Sequence, residues 1–300
     1  MTLVALLTTV PLWAQQSFLQ RDLDANGRLS PAEACLSQEE FQRLDESGNG
    51  ELSWGEFEDH WNRVTSDPDL ENAAYGPNPR QTLDLYLPSV LDEQVPLFIW
   101  IHGGSWKEGD KEACPFQTLT QHGVAVASIH YRFTDEARYP AQLDDCQAAI
   151  DFLREEAKRR GLKFGPITAC GLSAGGHLSL MLAGRGSVDN VIAFAAPVDL
   201  TPKEAREGYR DTLELLVGTP LEEYLDELKA VSPVYNLGTA RYILIHGTED
   251  RLVPYQQAIQ MTMALARAQV NVELMLVPRG SHTVVGGPIV WNRIVTLLEK

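Results

Sequence analysis

The chain has 300 residues, 44% hydrophobic and 22% charged, enough for one large core with a small appendage and unlike a disordered composition. A net charge of −16 excludes the clustered Lys and Arg of a nucleic-acid footprint. The charge is uneven: residues 1–75 hold fourteen Asp and Glu against four Arg and no Lys, so two bodies of different chemistry are expected.

Residues 1–14 come first. Leu3–Ala14 is an apolar run of twelve residues, too short for a membrane span, which needs roughly 18. It reads as the core of a secretory signal with Ala14 at the cleavage position, although no basic residue precedes Arg21; a buried helix is the alternative. The first reading predicts a secreted or periplasmic protein without a transmembrane span.

Residues 15–64 carry two twelve-residue segments with EF-hand spacing. In "DLDANGRLSPAE", Asp22, Asp24 and Asn26 offer side-chain oxygens, Gly27 the sharp turn, Arg28 its carbonyl, Ser30 the ninth position and Glu33 the bidentate carboxylate. "DESGNGELSWGE" repeats the offsets with Asp45, Ser47, Asn49, Gly50, Glu51, Ser53 and Glu56. A solvated acidic arm explains the charge but not this repetition, so two structural Ca2+ sites are expected, the second weaker because Ser47 replaces an acid. Ser37 with Glu40 forms a capping box for the helix between the loops. The segment resembles the compact EF-hand pairs attached to bacterial secreted proteins and offers a surface for a protein partner. Residues 65–79, with three prolines, read as a linker.

From residue 80 strands and helices alternate. "LDLYLP", "VPLFIWIHGG", "GVAVASIHYR", "ITACGLS", "VIAFAAPVDL", "RYILIHGTED" and "NVELMLV" read as strands; "PAQLDDCQAAIDFLREEAKRRG", "AGGHLSLMLAG", "YQQAIQMTMALARAQ" and "GGPIVWNRIVTLLEK" read as helices. The alternation predicts an α/β fold with a doubly wound, mostly parallel sheet, whose functional groups gather at the C-terminal strand ends. Residues 201–237 are too long for a plain crossover and are expected to form a helical cap over the pocket.

Gly171–Leu172–Ser173–Ala174–Gly175 lies between an apolar strand and a helix, the setting of a nucleophile elbow. "HGGSW" after an earlier strand offers the N–H groups of Gly103 and Gly104 as an oxyanion hole, joined by that of Ala174. Asp250 and His282 follow two later strands, completing the order Ser173, Asp250, His282 of a nucleophile, an orienting acid and a general base. His177 is expected to pack or hydrogen-bond, His102 and His246 to fasten loops, and Glu249 to be second to Asp250. Trp106 is either a pocket wall or a packed loop residue. No HExxH, Cys–His cluster or phosphate loop calls for a metal or nucleotide in catalysis. Of the four cysteines, Cys170 reads as a buried free thiol, and a Cys114–Cys146 pair is left open.

Together, "HGGSWKEGDK", "ASIHYRF", "YPAQLDDCQAAIDFL", "GLSAGGHL", "HGTEDRLVP" and "GSH" resemble the α/β-hydrolase esterases near the hormone-sensitive-lipase-like group. Within them, residues 80–300 are most similar to the bacterial acetyl xylan and feruloyl esterases. The resemblance implies hydrolysis of carboxylic esters, such as acetyl or feruloyl groups on polysaccharide. Two positions depart from the pattern: Ser105 replaces the third glycine of HGGGW, and Leu172 stands where many relatives carry an acid. A peptidase or amidase on the same triad and a non-catalytic, calcium-dependent binding protein are the alternatives.

Overall fold

The computed structural model describes residues 26–34, 36, 38–57, 67–218, 224–284 and 288–298. The signal-like segment, Asp22, Asp24, Cys35 and the capping Ser37 lie outside the described residues.

The N-terminal segment contains β1 (Arg28–Leu29), α1 (Pro31–Ala34), α2 (Gln38–Leu44) and β2 (Leu52–Ser53). The two strands pair antiparallel with Leu29 opposite Leu52, so the eighth positions of the two acidic loops meet. Those leucines, with Ala34, Leu36, Phe41, Leu44 and Phe57, form a small buried cluster.

The large sheet has eight strands: β3 (Leu70–Ala74), β4 (Thr82–Tyr86), β5 (Val95–Ile101), β6 (Ala125–Ile129), β7 (Phe164–Leu172), β8 (Asn190–Phe194), β9 (Arg241–Gly247) and β10 (Val272–Val277). Their spatial order is β10-β9-β8-β7-β5-β6-β4-β3. All pairings from β6 to β10 are parallel, and β3 and β4 are antiparallel additions at one edge. The helices are α3 (Ala141–Arg159), α4 (Ala174–Gly184), α5 (Lys203–Gly208), α6 (Arg210–Val217), α7 (Leu225–Ala230), α8 (Gln256–Arg267) and α9 (Pro288–Leu298). Among the described residues no helix is long and apolar enough to cross a membrane.

The period of two along each strand divides the core into two layers. Leu97, Ile99 and Ile101 of β5 join Leu143, Cys146 and Ile150 of α3 and Leu178 and Met181 of α4 on one face. Phe98 and Trp100 join Cys114, Phe116 and the Val290–Trp291–Ile294 stripe of α9 on the other. Cys114 and Cys146 are therefore buried on opposite sides of the sheet, which answers the open question of their pairing: the two do not pair with each other. Helix α4 is buried on every side from Ala174 to Ala183, which its uncharged sequence allows.

The linker expected at 65–79 needs correction, because Leu70–Ala74 is the edge strand β3. Its side chains are mostly exposed or half-buried and carry no strand-like alternation. Backbone pairing holds it instead, helped by the Asn72 N–H donating to Asp84 Oδ1 at 2.7 Å and the Leu87 N–H donating to Asp69 Oδ2 at 2.7 Å.

Buried Asp145 on α3 ties the elements before it together. It accepts from Arg132 Nη2 at 2.7 Å, the Arg132 N–H at 2.9 Å and Gln81 Nε2 at 2.7 Å. Asp145→Ala leaves the guanidinium and amide without their acceptor and is expected to cost about 3 kcal/mol, read as a lower denaturant midpoint at unchanged slope.

Candidate active site

Ser173 stands between β7 and α4 with φ 54° and ψ −116°, a conformation few non-glycine residues adopt. The Ser173 N–H donates to Phe194 O of the neighbouring strand at 2.8 Å, and Ser173 O accepts the His177 N–H at 2.9 Å. The flanking glycines follow from space. A Cβ on Gly175 would lie 1.9 Å from Ile101 O, and one on Gly171 would lie 2.3 Å from the Gly175 carbonyl carbon. A Cβ on Gly103 would come within 2.9 Å of Leu172 O and 3.5 Å of Ser173 Cβ, so the HGGSW backbone lies directly against the elbow. Among the described residues, the N–H groups of Gly103, Gly104 and Ala174 donate to no protein acceptor.

The HGGSW loop turns sharply, with Gly104 O accepting from the Lys107 and Glu108 N–H groups at 3.0 Å each. Ser105 and Trp106 both have left-handed backbones, φ 52° and 58°. Ser105, the departure from the family pattern, thus occupies a position that suits glycine better. His102 Nδ1–H donates to Gly103 O at 2.7 Å, and its ring stacks on Tyr131 at 4.5 Å.

Asp250 and His282 meet as the sequence predicts: His282 Nδ1 lies 2.7 Å from Asp250 Oδ2. The aspartate side chain is fully buried and the imidazole 15% exposed. Asp250 Oδ1 accepts the N–H groups of Leu252 and Val253 at 2.8 and 2.9 Å. Burial works to raise the Asp250 carboxyl, but hydrogen bonds from His246, His282 and Val253 outweigh it and hold the group well below the usual carboxylate range. Asp250, not Glu249, takes the partner position. His177 is fully buried, donates Nε2–H to Val231 O at 2.6 Å and meets Trp106 edge-on at 4.9 Å, tying helix α4 to the 201–237 insertion.

Ser173 and His282 line one small cavity of about 80 Å³. Its other walls are Ser105, Trp106, Pro197, Leu200, Leu252, Val253 and, from the insertion, Tyr209, Thr212 and Leu213. Three residues of the insertion thus line the cavity, and Tyr209, Thr212, Pro197 and Leu200 had no motif to mark them. Burial and the nearby Asp250 charge raise the Tyr209 phenol, keeping it protonated. A larger groove of about 440 Å³, walled by Arg154, Lys158 and Glu155, carries no nucleophile beside a base.

In the acidic loops the sequence repeat is a structural repeat. Asn26 Oδ1 accepts the Arg28 N–H at 2.7 Å as Asn49 Oδ1 accepts the Glu51 N–H at 2.8 Å. Glu33 Oε2 accepts from the Ser30 N–H and hydroxyl at 2.8 and 2.6 Å, and Glu56 Oε2 from those of Ser53 at 2.7 Å each. Gly27 and Gly50 share φ near 80°, at 77° and 82°. Glu56 Oε1 also reaches the Ser47 N–H at 3.1 Å, bringing the twelfth position over the third. Hydrogen bonds from Ser53, then Ser47, pull the Glu56 carboxyl down to about 2. No group of three His, Cys, Asp or Glu side chains suited to a metal occurs among the described residues. At the ligand positions of loop two the carboxylates are Asp45 and Glu56, with Ser47, Asn49, Ser53 and the Glu51 carbonyl as neutral oxygens.

A mostly parallel eight-stranded sheet with a serine elbow after its central strand and an Asp–His pair after two later strands defines an α/β-hydrolase. The BD-FAE family profile matches residues 83–265, and the chain belongs to that family. Esterase LipC of Mycobacterium tuberculosis is 28% identical over 66% of this chain and 56% of its own length. A probable isoprenylcysteine alpha-carbonyl methylesterase of Oryza sativa is 23% identical over 71% of this chain and 58% of its own. The chain thus spans little more than half the length of these curated relatives. Among solved structures, a truncated carbohydrate esterase from gut microbiota superposes with a TM-score of 0.71 at 24% identity, covering 78% of this chain and 96% of that one.

The buried imidazoles predict a pH dependence of stability. Burial pushes His102 and His177 from 6.5 down to about 4, against the weaker upward pull of their bonds to Gly103 O and Val231 O. The unfolded chain takes up these two protons near pH 6.5, whereas the folded chain resists them until about pH 4. Stability should be complete above pH 6.5 and fall toward pH 4 by on the order of 5 kcal/mol for the pair. Denaturant midpoints across this range check it, and the double variant His102→Gln/His177→Gln should flatten the slope.

Proposed function

We propose that the chain is a serine carboxylic ester hydrolase with the triad Ser173, Asp250 and His282. The observation that carries this reading is the 2.7 Å Asp250–His282 bond, placed so that His282 and the strained Ser173 share one cavity. Asp250 holds Nδ1–H of His282, which leaves Nε2 free to accept the Ser173 proton as Oγ attacks the ester carbonyl. The N–H groups of Gly103, Gly104 and Ala174 receive the oxyanion, and the N-terminus of α4 adds its positive pole. His282 then passes the proton to the leaving alcohol, and water repeats the sequence on the acyl-serine. The relatives' esterase names support the ester over the amide, and the paired acid and base support an enzyme over a binding scaffold.

Ser173→Ala should abolish turnover on nitrophenyl acetate with folding intact, and His282→Ala should be as damaging. Asp250→Asn should retain more, since Asp250 forms no bond to substrate. Wild-type turnover by a contamination-free Ser173→Ala protein would refute the triad.

The small, mainly apolar cavity favours short acyl groups, with acetyl esters of polysaccharide as the substrate class. Rates along a nitrophenyl ester series should peak at two to four carbons, and a maximum at about eight or more would exclude this pocket as the acyl site.

In this reading Asp22, Asp24, Asn26, Arg28, Ser30 and Glu33 would hold one Ca2+, and Asp45, Ser47, Asn49, Glu51, Ser53 and Glu56 a second. The ion would offset repulsion among these carboxylates and stabilise the segment without entering the chemistry. Sites with few carboxylates suit the high calcium of an extracytoplasmic location. Chelation should lower only the calorimetric transition of residues 15–64 and leave ester turnover nearly unchanged; turnover lost on chelation and restored by calcium would contradict this.

A further inference from the structure

His246 sits on β9, in the sheet, with its side chain fully buried. Its Nε2 lies 2.8 Å from Val253 O and 3.1 Å from Asp250 Oδ2. Both neighbours are acceptors, so the ring proton is on Nε2 and is shared between them. The other nitrogen, Nδ1, is buried without a hydrogen-bond partner. An orphaned polar atom makes histidine a poor choice for merely filling this space, where leucine or phenylalanine would bring no polar atom of its own into the core.

The backbone donors of Leu252 and Val253 hold only Oδ1 of Asp250. Those two bonds leave the carboxylate free to tip about Oδ1, and Oδ2 is the oxygen that receives His282. His246 supplies the second donor to Oδ2, from a rigid strand and not from the loop itself. Through Val253 O it also fixes the loop whose Leu252 and Val253 form part of the cavity wall.

We propose that His246 is a positioning residue of the catalytic site: its Nε2–H clamps Asp250 Oδ2 and Val253 O together and so sets the direction in which Asp250 holds His282. The inference rests on the Ser173–Asp250–His282 reading and adds a fourth member to it. His246 touches neither substrate nor Ser173 and acts only through Asp250.

The test uses the full chain carrying His246→Leu, His246→Phe or His246→Gln, beside Ser173→Ala, with kcat and KM on nitrophenyl acetate and thermal midpoints measured together. Glutamine offers two N–H groups at nearly the reach of Nε2 and can serve both acceptors. The Leu and Phe proteins should lose about ten- to a hundredfold in kcat with KM within about threefold, and Gln should recover to within about fivefold of wild type. Folded Leu or Phe proteins with kcat within about twofold of wild type would overturn the proposal. So would a Gln protein with an unchanged midpoint and the same loss as Leu. Where Leu does not fold, Phe keeps the ring's volume; where neither folds, the Gln protein decides, and a kcat below about a tenth of wild type at an unchanged midpoint overturns the proposal. Near-wild-type turnover by Ser173→Ala would instead refute the triad, whereas an inactive Ser173→Ala beside a fully active His246→Leu refutes only the role of His246.

Discussion

The close approach of two backbones, Ile101–His102 leaving β5 and Gly171–Gly175 leaving β7, is the constraint on which the site depends. These strands are parallel neighbours with Ile101 in register with Gly171, so their exits emerge side by side. Because Ile101 O occupies the space of a Gly175 Cβ, no side chain fits at that position. The same crowding forces Ser173 into its positive-φ turn and starts α4 immediately after it. It also lays the Gly103 backbone directly against Leu172 and Ser173. Strain at a single serine is tolerated because the sheet on one side and a helix buried all round on the other leave it no alternative.

Burial then separates the histidines by task. His102, His177 and His246 each donate one N–H to a backbone carbonyl, at Gly103, Val231 and Val253, and each leaves its second nitrogen unpartnered in the core. They fasten the HGGSW loop, the insertion and the Asp250 loop to the rigid sheet and helix. His282 is 15% exposed, and its buried partner is the Asp250 carboxylate.

The N-terminal segment follows a different physical logic. Its cluster of seven buried residues is small, and its loops fold their carboxylates back onto their own backbone N–H groups. A core of this size leaves much for a bound cation to contribute. Among the described residues the two loops share the Asn26/Asn49 and Glu33/Glu56 hydrogen bonds because the same residue types recur at the same offsets, a local property that does not depend on the large domain.

The sequence by itself determined whatever local backbone chemistry dictates. The alternation of elements, the elbow glycines, the order Ser173, Asp250, His282 and the loop repeat were legible because each rests on a short-range steric or hydrogen-bonding requirement written in adjacent residues. Tertiary structure alone decided the rest. It recruited Leu70–Ala74 as an edge strand through ladder hydrogen bonds that need no apolar pattern. It set Cys114 and Cys146 on opposite faces of the sheet, where spacing along the chain says nothing about distance. It also brought Tyr209, Thr212 and Leu213 over Ser173 and aimed His246 at Asp250. Those contacts join segments through packing, and packing is a relation between surfaces that no single stretch of sequence contains.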